Sequence, residues 1–233
     1  MRVFKADIIC FQELKATKEQ IPVKILESGY FGYYKSAEKK GYSGVGILSK
    51  IKPLNVYDTC GIEWIDSEGR FIAAEYDNYV VVSVYFPSGT TGDVRQNVKY
   101  EFLDQFYDFI HTFQSKMGKE LILCGDLNIA HKPIDIHNPV SNKNSSGFLP
   151  EEREWFTKFL ESGFVDVFRI LNEDKKDLYS WWSYRAGARK NNKGWRIDYI
   201  CVTSTLENKI VDAGILPDVK HSDHCPVFLT IKK

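Results

Sequence analysis

Leu121-Ile122-Leu123-Cys124-Gly125-Asp126-Leu127-Asn128-Ile129-Ala130-His131 is the stretch on which the reading of this chain turns. Its first four residues are apolar and β-prone, the mark of a buried strand. The strand stops at Gly125 and at once presents a carboxylate, an apolar residue and an amide. With a two-residue period, Asp126 and Asn128 share one side of the extended chain. A carboxylate and a carboxamide aimed at one point beyond a strand end suit a hard cation and a phosphate better than they suit a core. A second polar cluster, His221-Ser222-Asp223-His224-Cys225-Pro226-Val227, lies between apolar runs near the other end of the chain.

Outward from this stretch the chain alternates short strands with few helices. Residues 6–11 predict a strand ending in Gln12-Glu13, and 18–27 an amphipathic helix with Ile21, Ile25 and Leu26 on one face. Residues 31–34, 45–48, 71–76 and 80–85 predict strands separated by Gly, Asn and Asp turns. The longest helix is expected over 93–115, where Phe102, Phe106, Phe109, Ile110 and Phe113 recur at three- and four-residue steps. Residues 141–146 form a polar loop. Pro150 opens another helix, with Glu151 and Glu152 in its first turn. Residues 196–202, 210–215 and 227–231 close the chain as strands. Such a pattern predicts packed sheets with helices outside, and 233 residues suit one large domain, 1–233.

Lys+Arg and Asp+Glu both count 31, so no global charge points to a nucleic-acid partner, although a local basic patch can provide one. Five cysteines without Cys-x-x-Cys spacing, three of them in apolar runs, read as small hydrophobes of a reduced protein. No apolar run reaches membrane-spanning length, and the first residues lack the apolar core of a signal peptide. The cytoplasm is the expected compartment, in association with the nucleoid if the source is bacterial, and no membrane partner is expected.

Four acids follow apolar strands: Glu13, Asp126, Asp198 and Asp223. Each has a polar neighbour fit for the same work: Gln12 and Lys15, Asn128, Arg196, and His224. One acid at a strand end is ordinarily just solvated. Four, with Asn128 and His224 beside them, predict a site for a divalent ion and a phosphodiester, because Mg²⁺ prefers oxygen ligands and is held by one or two carboxylates plus substrate phosphate. A histidine beside an acid serves as general base or as a charged phosphate donor. From Tyr184 to Arg196 run Arg185, Arg189, Lys190, Lys193 and Arg196 with no acid among them, flanked by Trp181, Trp182 and Trp195. Cations contact phosphates and flat rings stack on bases or receive an extruded sugar; a solvated loop beside a tryptophan-rich core is the bland alternative. Arg95 and Lys99, early in the long helix, face either DNA backbone or solvent.

These elements carry a resemblance. Gln12-Glu13-Leu14-Lys15, Val84-Tyr85-Phe86-Pro87-Ser88-Gly89, Gly125-Asp126-Leu127-Asn128, Ile134-Asp135-Ile136-His137-Asn138-Pro139, Gly147-Phe148-Leu149-Pro150-Glu151-Glu152-Arg153, Gly194-Trp195-Arg196-Ile197-Asp198-Tyr199 and Ser222-Asp223-His224-Cys225-Pro226-Val227 resemble the exonuclease III-like AP endonucleases in order and spacing. The likeness to this branch of the endonuclease/exonuclease/phosphatase superfamily runs over nearly the whole length. It implies a four-layer α/β sandwich, with two mostly antiparallel mixed sheets face to face and helices outside. It implies a hydrolase of base excision repair that incises double-stranded DNA 5′ to abasic sites, with 3′→5′ exonuclease and 3′-phosphatase work as companions, Mg²⁺ as cofactor with Mn²⁺ as substitute, and a monomeric state. By the same resemblance Glu13 is the principal metal ligand and Asp223 a second metal-side carboxylate. Asp126 and Asn128 lie at the scissile phosphate, Asp126 either orienting the attacking water or protonating the leaving 3′ oxygen. His224 contacts the phosphate or activates water, oriented by Asp198, and Tyr85 places its phenol near the phosphate. Trp181, Trp195 and Ile197 line a pocket for the abasic deoxyribose, Arg185 enters the duplex, and Asn142 contacts a phosphate.

The family pattern opens with a strand running into Trp-Asn-x-Asn-Gly, whose asparagine helps hold the metal. Met1 lies twelve residues before Glu13 and the sequence contains no such motif, so the expectation is a shortened version of a longer protein. The rivals to the enzyme reading are a nonspecific nuclease or other phosphodiesterase of the same superfamily, and a DNA-binding module weakened in catalysis by the missing strand.

Overall fold

The structure is a computed structural model and describes residues 6–232. In chain order it contains β1 (Ile8–Phe11), α1 (Val23–Leu26), β2 (Phe31–Lys35), β3 (Val45–Ser49), β4 (Asn55–Tyr57), α2 (Glu63–Ser67), β5 (Phe71–Glu75), β6 (Tyr79–Tyr85), α3 (Asp93–Met117), β7 (Glu120–Asp126), α4 (Pro150–Glu161), β8 (Phe164–Asp166), α5 (Val167–Leu171), β9 (Asp198–Thr203), β10 (Ile210–Ile215) and β11 (Val227–Ile231). Two compact units divide the chain. One holds residues up to Tyr85 together with 113–125; the other holds 86–112 and 126 onward.

In the first unit β1, β3 and β2 form an antiparallel sheet in that order, with Ile9 opposite Leu48 and Tyr33 opposite Ile47. Strands β4, β5, β6 and β7 lie side by side in that order. β3 packs against β5 and β6, so the two sets of strands meet face to face. The sequence explains why: all five residues of β3 and of β5 are buried, and Val80, Val82 and Val84 of β6 are fully so. Apolar runs without alternation belong in strands covered on both sides. Among the buried polar exceptions, which include Ser49 and Glu75, Ser83 of β6 donates to the Phe11 carbonyl at 3.0 Å and accepts from Gln12 at 2.9 Å.

In the second unit β8 pairs with β9 and β10 with β11, both antiparallel, and β11 packs on β9. α5 covers β9 and β10, and its first turn is capped by Asp166, whose Oδ1 accepts from the Phe168 amide at 3.1 Å and from Arg169 at 3.4 Å. α4 begins with Pro150, a residue with no N–H to leave unpaired in the first turn. Phe86 lies at 4.7 Å from Phe102, 5.0 Å from Phe106 and 5.5 Å from Trp155, edge to face. Phe102, Phe106 and Ile110 of α3 are buried as their spacing predicts.

The helix expected over 18–27 is a correction. The structure has a 3₁₀ turn at Lys18–Gln20 and a single helical turn, α1. Pro22 lacks an amide donor and pushes Ile21 into an extended conformation (ψ 125°), which breaks the helix between them. Ile21 is buried while Leu26 is exposed, so the apolar face is lost too. The elements absent from the sequence reading, β4, α2, β8 and α5, span only three to five residues each, too few for a period to show.

Candidate active site

β7 delivers Asp126 at its end, with only 5% of the residue exposed. The chain then turns rather than extending. Asn128 has φ 52°, the left-handed region that asparagine tolerates better than most residues. Asp126 Oδ1 accepts from the Asn128 amide at 2.9 Å and Oδ2 from Asn128 Nδ2 at 3.3 Å, so the carboxylate fastens its own turn. Asn128 Nδ2 also donates to the Phe86 carbonyl at 3.0 Å, and the Phe86 amide to Asp126 O at 2.9 Å. Leu127 between them is fully buried, its amide tied to Ile197 O at 2.9 Å. The expected juxtaposition of Asp126 and Asn128 therefore exists, made by a side-chain-closed turn instead of by strand alternation.

Asp198 heads β9. Its amide and that of Ile197 both donate to the hydroxyl of Ser180 at 3.1 Å, and Ser180 is fully buried. Ser180 also accepts the Cys225 amide on its carbonyl at 2.8 Å. One serine thus joins the strand that carries Asp198 to the segment that carries His224. Nothing in the run Tyr179-Ser180-Trp181 announced this role. His224 donates through Nδ1 to Asp198 Oδ2 at 2.9 Å, and its Nε2 faces Asp126 Oδ2 from 4.0 Å. Burial opposes a charge on this ring, but Asp198, with Asp126 and Asp223 nearby, outweighs it and raises the imidazole to about 10. His224 is a cation at neutral pH, with Nε2–H directed into the space beside Asp126.

Asp223 receives Trp181 Nε1 on Oδ2 and Ser222 Oγ on Oδ1, each at 3.0 Å. Burial pushes its acidity down, and these donors more than offset that, leaving its pKa below the usual value. A carboxylate has about four lone-pair sites, so Asp223 keeps capacity for a cation. Asp126, Asp198 and His224 offer ligand atoms all within 4.8 Å of one another. The three are a group of the kind that could hold a metal ion, and with His224 charged they also present a donor to a phosphate anion.

Two further candidates belong to the first unit. Glu13 is exposed, paired with Lys15 at 2.8 Å, and both residues have positive φ, 53° and 50°. Their turn is pinned by Leu14 N to Gly44 O at 3.1 Å and Lys15 N to Ser43 O at 2.7 Å. Tyr85 ends β6; the buried Arg70 guanidinium lies 4.9 Å from its ring and donates to its carbonyl at 2.9 Å.

The aromatic candidates meet in the second unit. Trp181 and Trp195 exchange backbone hydrogen bonds at 2.9 Å and stand edge to face at 6.2 Å. Both rest on a cluster of Ala130, Ile136, Phe148 and Ile197. Ile197 is 6% exposed, so it props the tryptophans from below. Gly147 (φ 92°) lies so close that a Cβ would meet Asn128 O and the Trp195 ring at 3.0 Å. Asn142 spends its amide on its own loop, donating to His137 O at 3.1 Å and Asn138 O at 3.0 Å. Arg185 is exposed at the start of a 3₁₀ turn, Arg185–Gly187.

Three basic residues depart from the sequence reading. Arg196 is buried and binds Asp135 and Asp166, both at 2.7 Å. Arg189 stacks on Trp182 at 4.6 Å and donates to the carbonyls of Pro217, Val219 and Ser222. Lys99 faces neither solvent nor DNA: it is fully buried against Glu152. Their carboxylate and carbonyl partners are distant in sequence, which is why a basic run looked uniform.

A family model described as the endonuclease/exonuclease/phosphatase family matches residues 1–224. An exodeoxyribonuclease of Bacillus subtilis (strain 168) is 47% identical over 97% of this chain and 88% of its own length. The solved structure of an AP endonuclease from Archaeoglobus fulgidus superposes with a TM-score of 0.88 at 30% identity, over 98% of this chain and 90% of that one. A 3′ phosphatase from Neisseria, solved with a product DNA hairpin, gives a TM-score of 0.91 at 25% identity over 100% and 91%. The fold these structures share is a four-layer α/β sandwich, the class expected from the sequence.

Proposed function

The chain belongs to the endonuclease/exonuclease/phosphatase family, and from that premise we propose that it is a DNA repair hydrolase that incises the strand 5′ to an abasic site and leaves a 3′ hydroxyl. The observation that carries this reading is the Asp198–His224 pair set 4.0 Å from Asp126 and flanked by Trp181 and Trp195. His224 donates its Nε2 proton to a non-bridging phosphate oxygen, while Asp198 keeps the ring charged and oriented. Both oxygens of Asp126 accept hydrogen bonds from Asn128, as suits an ionised carboxylate. Asp126 therefore orients a water and takes its proton as the water oxygen bonds to phosphorus and the P–O3′ bond breaks, and the departing 3′ oxygen takes a proton from solvent to become the 3′ hydroxyl. Asn128 fixes Asp126 and offers its amide to the phosphate. Trp181 and Trp195 supply an apolar wall for a deoxyribose that lacks a base.

Family members are metal-dependent nucleases, and we assign the ion as Mg²⁺ with Mn²⁺ as substitute. Asp223 keeps oxygen lone pairs of the type such an ion prefers, and a ligand role for Glu13 rests on the family resemblance of the Gln12-Glu13 element. A bound ion neutralises phosphate charge and stabilises the departing oxygen. Relatives that work as an exodeoxyribonuclease and a 3′ phosphatase favour a second activity at 3′ ends. Both readings are tested by one experiment: turnover on a duplex with a single abasic site, on the intact duplex and on a 3′-phosphorylated nick, with and without Mg²⁺. Metal-dependent incision of the abasic strand is expected. Equal cutting of intact duplex refutes abasic selectivity, and binding without cleavage at any metal concentration favours a DNA-binding module.

A further inference from the structure

The Lys99–Glu152 pair takes no part in the roles assigned above, yet both side chains are fully buried, 2.5 Å apart. Isolated charges are not retained in a core without a reason in their partners. Lys99 Nζ, besides binding Glu152 Oε1, donates to the Asn128 carbonyl at 2.8 Å. Glu152 Oε2 accepts the Gly147 amide at 2.6 Å and the Leu149 amide at 3.0 Å, and Oε1 also accepts Gln96 Nε2 at 3.1 Å. The bonds of the pair thus end on two segments that frame the site. One is the Asp126–Asn128 turn. The other contains Gly147, which sits against both Asn128 O and the Trp195 ring.

Asn128 holds a positive φ, which asparagine tolerates but which its surroundings here also fix. Its side chain is fixed by Asp126 and Phe86; its carbonyl is fixed by Lys99. An apolar side chain of similar length would fill the space of Lys99, but would leave that carbonyl without the ammonium donor and Glu152 charged and uncompensated.

We propose that Lys99, neutralised by Glu152, is a positioning residue that locks Asn128 in its left-handed turn and so aims the Asn128 side-chain amide at the scissile phosphate. The proposal rests on the functional reading above. Misplacing a catalytic group by about 1 Å costs on the order of 10²-fold in rate, so Lys99→Met should lower kcat on abasic duplex by about that factor, with KM within about twofold. Because Lys99 acts through Asn128, Lys99→Met added to Asn128→Ala should lower kcat by less than about threefold more. Lys99→Arg, which keeps the charge and the donor, should recover most of the rate. Full multiplication of the two single effects, or a rise in KM with kcat intact, overturns the proposal. Lys99→Gln carries the same comparison if the methionine variant does not fold. A second readout needs no turnover: the side-chain amide resonances of Asn128, identified by their loss in Asn128→Ala, should move in Lys99→Met and return in Lys99→Arg. Unmoved resonances in Lys99→Met refute the proposal. A wild-type protein that leaves abasic DNA uncut refutes the functional reading instead, and the resonances still decide the positioning role.

Discussion

His131 closes the stretch that begins at Leu121, and its environment makes a sharp prediction about pH. The residue is 7% exposed, and its ring stands edge to face with Phe156 at 4.8 Å. Nε2 lies 2.8 Å from Thr157 Oγ1. The Thr157 hydroxyl gives its own proton to Arg153 O at 3.1 Å. The imidazole must therefore be the donor, which fixes the neutral tautomer protonated at Nε2. Burial holds the ring down to about 4 from an ordinary 6.5, with Asp135 pulling it up and Lys132 down. In the unfolded chain the ring takes a proton near pH 6.5; in the folded chain it does not. Stability from this residue is complete above the unfolded value and is lost as pH falls from 6.5 towards 4. At about 1.36 kcal/mol per unit, the full loss is about 3 kcal/mol, of which about 2 kcal/mol is gone by pH 5. His131→Gln keeps an N–H donor for Thr157 and has no titration. Urea unfolding followed by tryptophan fluorescence, from pH 7.5 to 4.5, should show the wild type losing about 2 kcal/mol more than this variant by pH 5. Parallel curves for the two proteins would refute the argument.

Asp135 is fully buried between Arg169 and Arg196. Asp135→Asn leaves two guanidinium groups short of their counter-charge, so it should lower unfolding free energy by about 3–5 kcal/mol at pH 7, read as a lower urea midpoint. Glu13→Ala should lose far more cleavage rate at low Mg²⁺ than at high; an equal loss across a metal titration counts against a ligand role for Glu13.

The strands were legible wherever an apolar run was long enough to declare itself. β3, β5, β6 and β10 fall within a residue or so of their expected bounds. Asp126, Asn128, Asp198 and His224 were legible as a set because each lies close to an apolar run that a sheet must bury, Asp126 and Asn128 after β7, Asp198 at the head of β9 and His224 just before β11, and the folded chain brings them together. What sequence left hidden are the groups whose meaning depends on distant partners. Ser180 is an ordinary serine until its hydroxyl is seen taking two amides seventeen and eighteen residues away. Lys99 reads as a surface lysine until Glu152, 53 residues on, is found beside it. His131 reads as part of the polar motif because it follows it directly, yet its bonds run to Thr157 and Tyr199 in the core.

The basic run between Tyr184 and Arg196 shows the same limit with a consequence for DNA recognition. A guanidinium contributes to backbone contacts only if it is free to meet a phosphate. Arg196 is not: its carboxylate partners Asp135 and Asp166 hold it inside the core, and its neighbours in sequence are Trp195 and Ile197. Arg189 is not either, since its three carbonyl acceptors at Pro217, Val219 and Ser222 tie the loop to the segment that leads into Asp223 and His224. These two arginines are braces that hold the ends of the site at fixed distances. Arg185, Lys190 and Lys193 remain exposed. Those three are free to meet a phosphate, whereas Arg196 is buried and Arg189 is half-buried under its carbonyl acceptors. Charge count alone would have assigned five cations to one task; their partners divide them between two.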